Sequence, residues 1–296
     1  MALRRPPAAG MSMLPADTFA GDTVFITGGG TGLGKAIASE FARCGASIAI
    51  ASRTEEHRRA GVAAMQEIGA PAFETFVDVR DPDSITAAFD ATEAALGPVT
   101  ILINNAAGNF EVPAEKMSPN AWKAVVDIVL NGTFYCCREF GLRRMAAGDG
   151  GAILNIGATY SWTGGPGTSH SAAAKAGVTN LTQSLAVEWA PDDIRVNCLA
   201  PGYFPLPDRS DGGWVTPEGK AKLRRASTIP GQRVGEGQEL GWAATYLCSP
   251  FAAYLTGHTL VLDGANWLRR NLRMPEFEPV RDVYEASRKT AQSREE

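Results

Sequence analysis

Five cysteines and three histidines in 296 residues leave little material for metal or disulfide chemistry. The cysteines stand at 44, 136, 137, 198 and 248 with no CxxC spacing. No metal site is therefore expected, and the thiols read as buried groups in a reducing compartment. Nor is there any run near the ~18 apolar residues of a membrane span. Arg4-Arg5 is followed by Pro6-Pro7, not by the apolar stretch of about 7–15 residues that an export signal needs. Residues 1–19 accordingly read as a disordered leader, and the protein as cytoplasmic. The net charge is only -4, and the 28 basic residues are scattered. Without a basic stripe, nucleic acid is excluded as a partner. Internal repeats and low-complexity segments are absent too.

What remains is a chain 45% hydrophobic and 20% charged, suited to a soluble domain with a sizeable core. Val24 to Thr27 is a short apolar β-rich run ending in glycines, and Leu33, Ile37 and Phe41 follow at helical spacing. Further strands are expected at Ser47–Ala51, Phe73–Val77, Val99–Ile103, Gly151–Ile156, Ile194–Leu199 and Thr259–Leu262. Helices are expected at about Glu55–Ile68, after Asp81-Pro82-Asp83, over Pro119–Met145 and from Ser171 to Trp189. Strand and helix alternate, so the fold class is α/β. The expectation is a single doubly wound, Rossmann-type parallel sheet of about seven strands with helices on both faces. Residues 20–266 would form this domain, followed by a charged, peripheral tail over 267–296. Residues 203–218 are rich in Pro, Gly and Asp and read as a loop over a binding site.

Thr27-Gly28-Gly29-Gly30-Thr31-Gly32-Leu33-Gly34 bridges the first strand and the first helix. Glycine lets backbone approach a pyrophosphate, and a helix N-terminus offers its N–H groups to the charge. Gly28, Gly30, Thr31, Gly32 and Leu33 are the candidate contacts, in a GxxxGxG spacing. The second strand ends in Ser52-Arg53. A cation there favours the 2′-phosphate of NADP(H), where an acid would favour a free ribose hydroxyl. Asp78-Val79, after the third strand, is placed to meet the adenine.

TGGGTGLG, the loop Asn104-Asn105-Ala106-Ala107-Gly108, the helix of Lys175 and Asn197-Cys198-Leu199-Ala200-Pro201-Gly202 together resemble the short-chain dehydrogenase/reductase family. The resemblance adds Asn105, Lys175, Pro201 and Gly202 to the cofactor site. Four before Lys175, where that family keeps a catalytic tyrosine, stands Ser171, an alcohol too weak an acid for the task. Asn104 to Phe110, Ser118 to Trp122, Asp127 to Thr133 and Ser171 to Lys175 are similar to the 2,4-dienoyl-CoA reductases. In their mitochondrial type serine stands at that position, and the tyrosine lies fifteen residues before the lysine. Here that residue is Tyr160. The usual family serine is Ala158.

The resemblance implies NADPH-dependent reduction of a 2,4-dienoyl-CoA to a 3-enoyl-CoA in fatty-acid breakdown. Hydride addition moves negative charge to the thioester oxygen, which needs fixed donors. The Tyr160 phenol and the Asn109 amide are the implied pair. Lys175 would grip the nicotinamide ribose, and Ser171 would hydrogen-bond nearby. Asn131 matches a helix-distorting asparagine that holds a water. Asp127 is a reserve acid, as in peroxisomal relatives. Arg80 and Phe110 match positions near the substrate, and Arg209 is a candidate phosphate partner. His170 is expected to be structural. The partner is thus an acyl-CoA, and a homotetramer is expected by analogy. Two rivals stay open: a short-chain reductase of 2-enoyl-CoA or ketones, and a cofactor-binding protein without turnover.

Overall fold

The computed structural model describes residues 2–205, 226–268, 279, 281, 282, 284 and 285. Seven strands form one sheet in the order β3-β2-β1-β4-β5-β6-β7, every pair parallel. They are β1 (Thr23–Thr27), β2 (Ser47–Ser52), β3 (Ala72–Phe76), β4 (Val99–Asn104), β5 (Gly151–Ile156), β6 (Ile194–Pro201) and β7 (Thr259–Leu262). Between them run α1 (Gly32–Arg43), α2 (Glu55–Ile68), α3 (Pro82–Leu96), α4 (Pro119–Val126), α5 (Gly132–Ala147), α6 (Tyr160–Thr163), α7 (Ser169–Trp189) and α8 (Gly237–Cys248).

Alternation along each strand divides the core in two. Val24 and Ile26 of β1 join Ile37, Phe41, Leu240 and Leu247 on one face of the sheet. Phe25 turns to the other face and joins Ile85, Phe89, Phe140 and Leu185. All five residues of β1 are buried, which explains why its sequence reads as a continuous apolar run. Helix starts are written locally. The Asp81 carboxylate accepts the Asp83 N–H at 3.0 Å with Pro82 in the first turn of α3, and Ser118 accepts the Ala121 N–H at 3.1 Å before α4.

Several expectations are corrected. β3 begins and ends one residue earlier than read, and β6 runs on to Pro201. The single helix expected over Pro119–Met145 is interrupted by a π-turn at Asp127–Asn131. α8 carries no strong sequence punctuation, yet it packs along α1, where Gly241 leaves no room for a Cβ beside Glu40. Its start is fixed by a reciprocal capping box between Glu236 and Glu239. The leader also lies against the body. Leu3 N–H donates to Gly231 at 2.9 Å, Trp242 donates to Met11 at 2.9 Å, and Phe19 is buried. All five cysteines are buried and free. Among the described residues no helix is long and apolar enough to cross a membrane, and no cluster of His, Cys, Asp and Glu could hold a metal.

Candidate active site

The strand order reverses between β1 and β4, and a crevice opens there at the C-terminal edge of the sheet. The glycine loop enters it. Gly28 has φ +67°, a left-handed conformation that glycine adopts without penalty. Asn105 ties the two loops together, its amide donating to the carbonyls of Thr27 and Gly28, each at 3.0 Å. The Thr27 hydroxyl in turn accepts the N–H groups of Asn105 and Ala106 at 3.0 and 2.9 Å. Thr31, the N-cap of α1, makes no side-chain cap, and the first turn of α1 holds no acidic residue. α2 and α3, by contrast, carry Glu55, Glu56 and Asp83 in theirs. A helix start without an acidic first turn suits a dinucleotide phosphate.

At the ends of β2 and β3 the charges are already organised. Arg58, a residue that motif reading passed over, donates to the carbonyls of Ser52 and Arg53 at 2.9 and 3.1 Å. Its signal was the ion pair it makes with Glu74 on β3, at 3.3 Å. Arg53 itself is exposed. Asp78 is bound by the Arg80 guanidinium, whose Nε lies 2.9 Å from Oδ1, and this bond holds its carboxyl down to about 2. Arg80, assigned to the substrate from sequence, is thus engaged with a residue assigned to the cofactor. Val79 is buried, and its side chain fills the space that a Cβ on Gly132 would need. Pro201 and Gly202 end β6, with Gly202 N–H donating to Leu262 at 2.9 Å.

The central group lies across β5 and α7. Tyr160 opens the one-turn helix α6, and its hydroxyl is 3.0 Å from the Ser171 Oγ. Ser171 and Lys175 are one turn apart on α7, both buried. The Lys175 ammonium donates to the Ile156 carbonyl at the end of β5. Burial lowers its pKa to about 8, opposed by the neighbouring Cys198 thiol, itself pushed up to about 11. The arrangement sets an alcohol and an ammonium one turn apart on α7, with a phenol from α6 against the alcohol. That is a hydrogen-bond donor set beside a cation, suited to an oxygen that gains negative charge. Ala158 is buried between β5 and α6 and brings no hydroxyl. Asn109 and Phe110 lie exposed on the loop after β4.

On the other wall, the π-turn carries Asp127 and Asn131. Asn131 donates its amide to Asp127 at 2.9 Å, and Lys123 donates to the other carboxylate oxygen. Both bonds lower the Asp127 pKa, that from Lys123 most. A cavity of about 500 Å³ borders the first turn of α7, lined among others by Pro113, Gly165, Gly167 and Ser169. Arg209 lies outside the described residues.

A family model described as enoyl-(acyl carrier protein) reductase matches residues 28–265. A solved short-chain dehydrogenase from Bacillus anthracis shares the fold with a TM-score of 0.77 at 40% identity, over 85% of this chain and 98% of its own. The chain belongs to the short-chain dehydrogenase/reductase family. A short-chain reductase of this kind is an oxidoreductase with a nicotinamide cofactor. Among its relatives is a probable 2,4-dienoyl-CoA reductase of Bacillus subtilis, described as (2E)-enoyl-CoA-producing. It is 40% identical over 247 residues, 83% of this chain and 96% of its own. The peroxisomal 2,4-dienoyl-CoA reductase of Rattus norvegicus, described as (3E)-enoyl-CoA-producing, is 42% identical over 250 residues, covering 82% and 83%. The short-chain reductase fold and the resemblance read from the motifs therefore agree with the comparisons.

Proposed function

We propose that the protein reduces 2,4-dienoyl-CoA thioesters with NADPH, giving a 3-enoyl-CoA. The observation that carries this reading is the 3.0 Å contact between Tyr160 and Ser171. It supports a phenol serving the site of Lys175 although the residue four before the lysine is a serine. Relatives at 40 and 42% identity that carry the dienoyl-CoA reductase description support it.

When bound, the nicotinamide supplies a hydride to the far carbon of the conjugated system. The residues of this chain have three tasks. Lys175 orients the ribose and places positive charge behind the phenol. Tyr160 and Asn109 donate to the thioester oxygen as charge collects there, which lowers the barrier without a full proton transfer. Ser171 holds the phenol in register. Arg53 meets the 2′-phosphate, and Asp78 and Val79 flank the adenine. Gly28, Gly30, Thr31, Gly32, Leu33, Ser52, Asn105, Pro201 and Gly202 shape the rest of the cofactor cleft. Phe110 packs on the acyl group, and the cavity beside Ser169 has the size for the thioester arm.

Purified protein should oxidise NADPH rapidly with a 2,4-dienoyl-CoA, and slowly with a 3-ketoacyl-CoA. Faster turnover of the ketone would reject the reading. The description of the matching family model favours a 2-enoyl thioester as the second substrate to include. Exposed apolar side chains on the outer helices, Phe134 and Leu142 of α5 and Val187 of α7, support assembly as a homotetramer. Light scattering at the monomer mass would oppose it.

A further inference from the structure

His170 is one of the buried polar residues near the site that keep an atom without a hydrogen-bond partner. It is fully buried in the first turn of α7, and its Nδ1 accepts the Ser171 N–H at 2.8 Å. Its Nε2 is buried with no hydrogen-bond partner. Burial lowers its pKa against the smaller opposing effect of a hydrogen bond to the Thr168 backbone, so the ring is neutral at pH 7, while no acceptor meets hydrogen-bond geometry at Nε2. A neutral imidazole that accepts through Nδ1 carries its proton on Nε2. His170 thus holds a buried N–H donor without an acceptor. Native proteins avoid such orphans, because the lost hydration is not recovered. One that persists marks a place where an acceptor arrives with a ligand.

The surroundings say which ligand. The imidazole meets Phe110 edge-on, with ring centroids 4.6 Å apart. Phe110 is 43% exposed and follows Asn109 on a loop without regular structure. On the other side, Ser171 is next in the chain and touches the Tyr160 hydroxyl. The Val112 N–H donates to Gly167 at 2.8 Å, so the loop after β4 is pinned to the turn that precedes α7. His170 is therefore enclosed by the segments that carry Asn109 on one side and Ser171 on the other. The half-exposed Phe110 ring is the cover that a bound acyl group would displace.

We infer that His170 is a substrate-positioning residue, whose Nε2–H is taken up by an amide carbonyl oxygen of the thioester's pantetheine arm once Phe110 moves aside. This rests on the acyl-thioester reading of the site. Because the ring is neutral, it serves as a donor that fixes the thioester, and the proton that reaches Cα of the enolate to complete the reaction comes from water. Its contribution is to hold the thioester while Tyr160 and Asn109 receive the developing charge.

With only three histidines in the chain, ¹⁵N-histidine labelling makes the test direct. The full-length protein is loaded with NADP⁺ and titrated with decanoyl-CoA, a saturated thioester that cannot be reduced, while calorimetry follows binding. The expected result is a downfield shift of the His170 Nε2 proton and slower exchange with water on saturation. If decanoyl-CoA binds and the His170 signal stays put, this inference falls and the thioester reading stands. If no thioester binds, both fall. His170→Phe supplies the kinetic arm, since it keeps a ring against Phe110 and removes both nitrogens. It should lower kcat/KM for the dienoyl thioester by about 10-fold or more, mainly through KM, with NADPH affinity unchanged. An unaltered KM in a folded His170→Phe protein would overturn the assignment.

Discussion

The Tyr160 hydroxyl and the Ser171 Oγ meet at 3.0 Å, across the gap between a one-turn helix and the first turn of α7. In the proposed mechanism, serine at that position steadies a phenol delivered from upstream. The two side chains should therefore differ sharply in kinetic weight. Tyr160→Phe removes a donor to the charged oxygen and is expected to cost on the order of 10²-fold in kcat. Ser171→Ala removes one neutral hydrogen bond and should cost roughly 10-fold or less. Steady-state assays with NADPH and a dienoyl thioester compare them. Equal losses would mean that the pair acts as one unit, and a silent Tyr160→Phe would remove the phenol from the mechanism.

Arg53 is exposed at the end of β2, its backbone held by Arg58. A side chain fixed at its base and unburied at its tip suits recognition of a 2′-phosphate. Arg53→Ala should weaken NADPH binding about 10-fold or more and leave NADH binding within twofold. Fluorescence titration with both nucleotides measures this. An equal loss for both would assign Arg53 to general electrostatics.

Much of the fold was written in local sequence. β1 and β5 are apolar runs closed by glycine, and Asp81-Pro82 and Ser118-Pro119 announce α3 and α4 with a cap and a proline. α8 was not legible, because its amphipathic face is completed only by α1 packing along it. The π-turn at Asp127–Asn131 was legible only through resemblance, since helical periodicity runs straight through it. Within the site, glycine spacing and the fifteen-residue step from Tyr160 to Lys175 carried the reading. The ion pair of Asp78 with Arg80 was hidden, because both residues read as ligands of different partners. The hydrogen bonds of the leader to Gly231 and Trp242 were hidden for a similar reason, as they span the length of the chain.

Gly30 tests how tightly the cofactor loop is built. A Cβ there would lie 2.0 Å from the His57 carbonyl oxygen, a backbone atom in the first turn of α2. Relief requires the helix or the loop to shift, so Gly30→Ala should destabilise the protein by about 2 kcal/mol or more. NADPH should then fail to restore the lost melting temperature, because the displaced loop is its proposed binding site. Calorimetric scans with and without nucleotide decide the point. Full rescue by NADPH would show that the loop re-forms around its ligand.

Lys175 gives a pH dependence with a definite sign. Burial places its folded pKa near 8, against an ordinary 10.5. Below about pH 8 both folded and unfolded chains carry the charge, and the burial penalty is present in full. Between pH 8 and 10.5 the unfolded chain binds more protons, so this residue's contribution to stability rises with pH. At about 1.4 kcal/mol per unit the change is at most roughly 3 kcal/mol. Comparison with Lys175→Met cancels Cys136, Cys137 and Cys248, which titrate in the opposite sense in both proteins, and a Cys198→Ala background removes the thiol coupled to Lys175. The stability of wild type relative to the variant should climb across that window, and a flat difference would contradict a desolvated ammonium.

Asp127 and Tyr160 compete for the leading catalytic role, and their surroundings separate them. The Asp127 carboxylate accepts hydrogen bonds from Lys123 and Asn131, which hold its pKa below the ordinary value. A carboxyl stabilised as the anion has no proton to give at pH 7, though it can order water or orient Asn131. Asp127→Asn keeps an oxygen for the Asn131 amide and abolishes the charge. Activity should therefore fall by no more than about 5-fold, with the acid limb of the pH–rate profile unmoved. A loss near that of Tyr160→Phe would transfer the leading part to Asp127. The phenol would then only support a proton relay running through the π-turn.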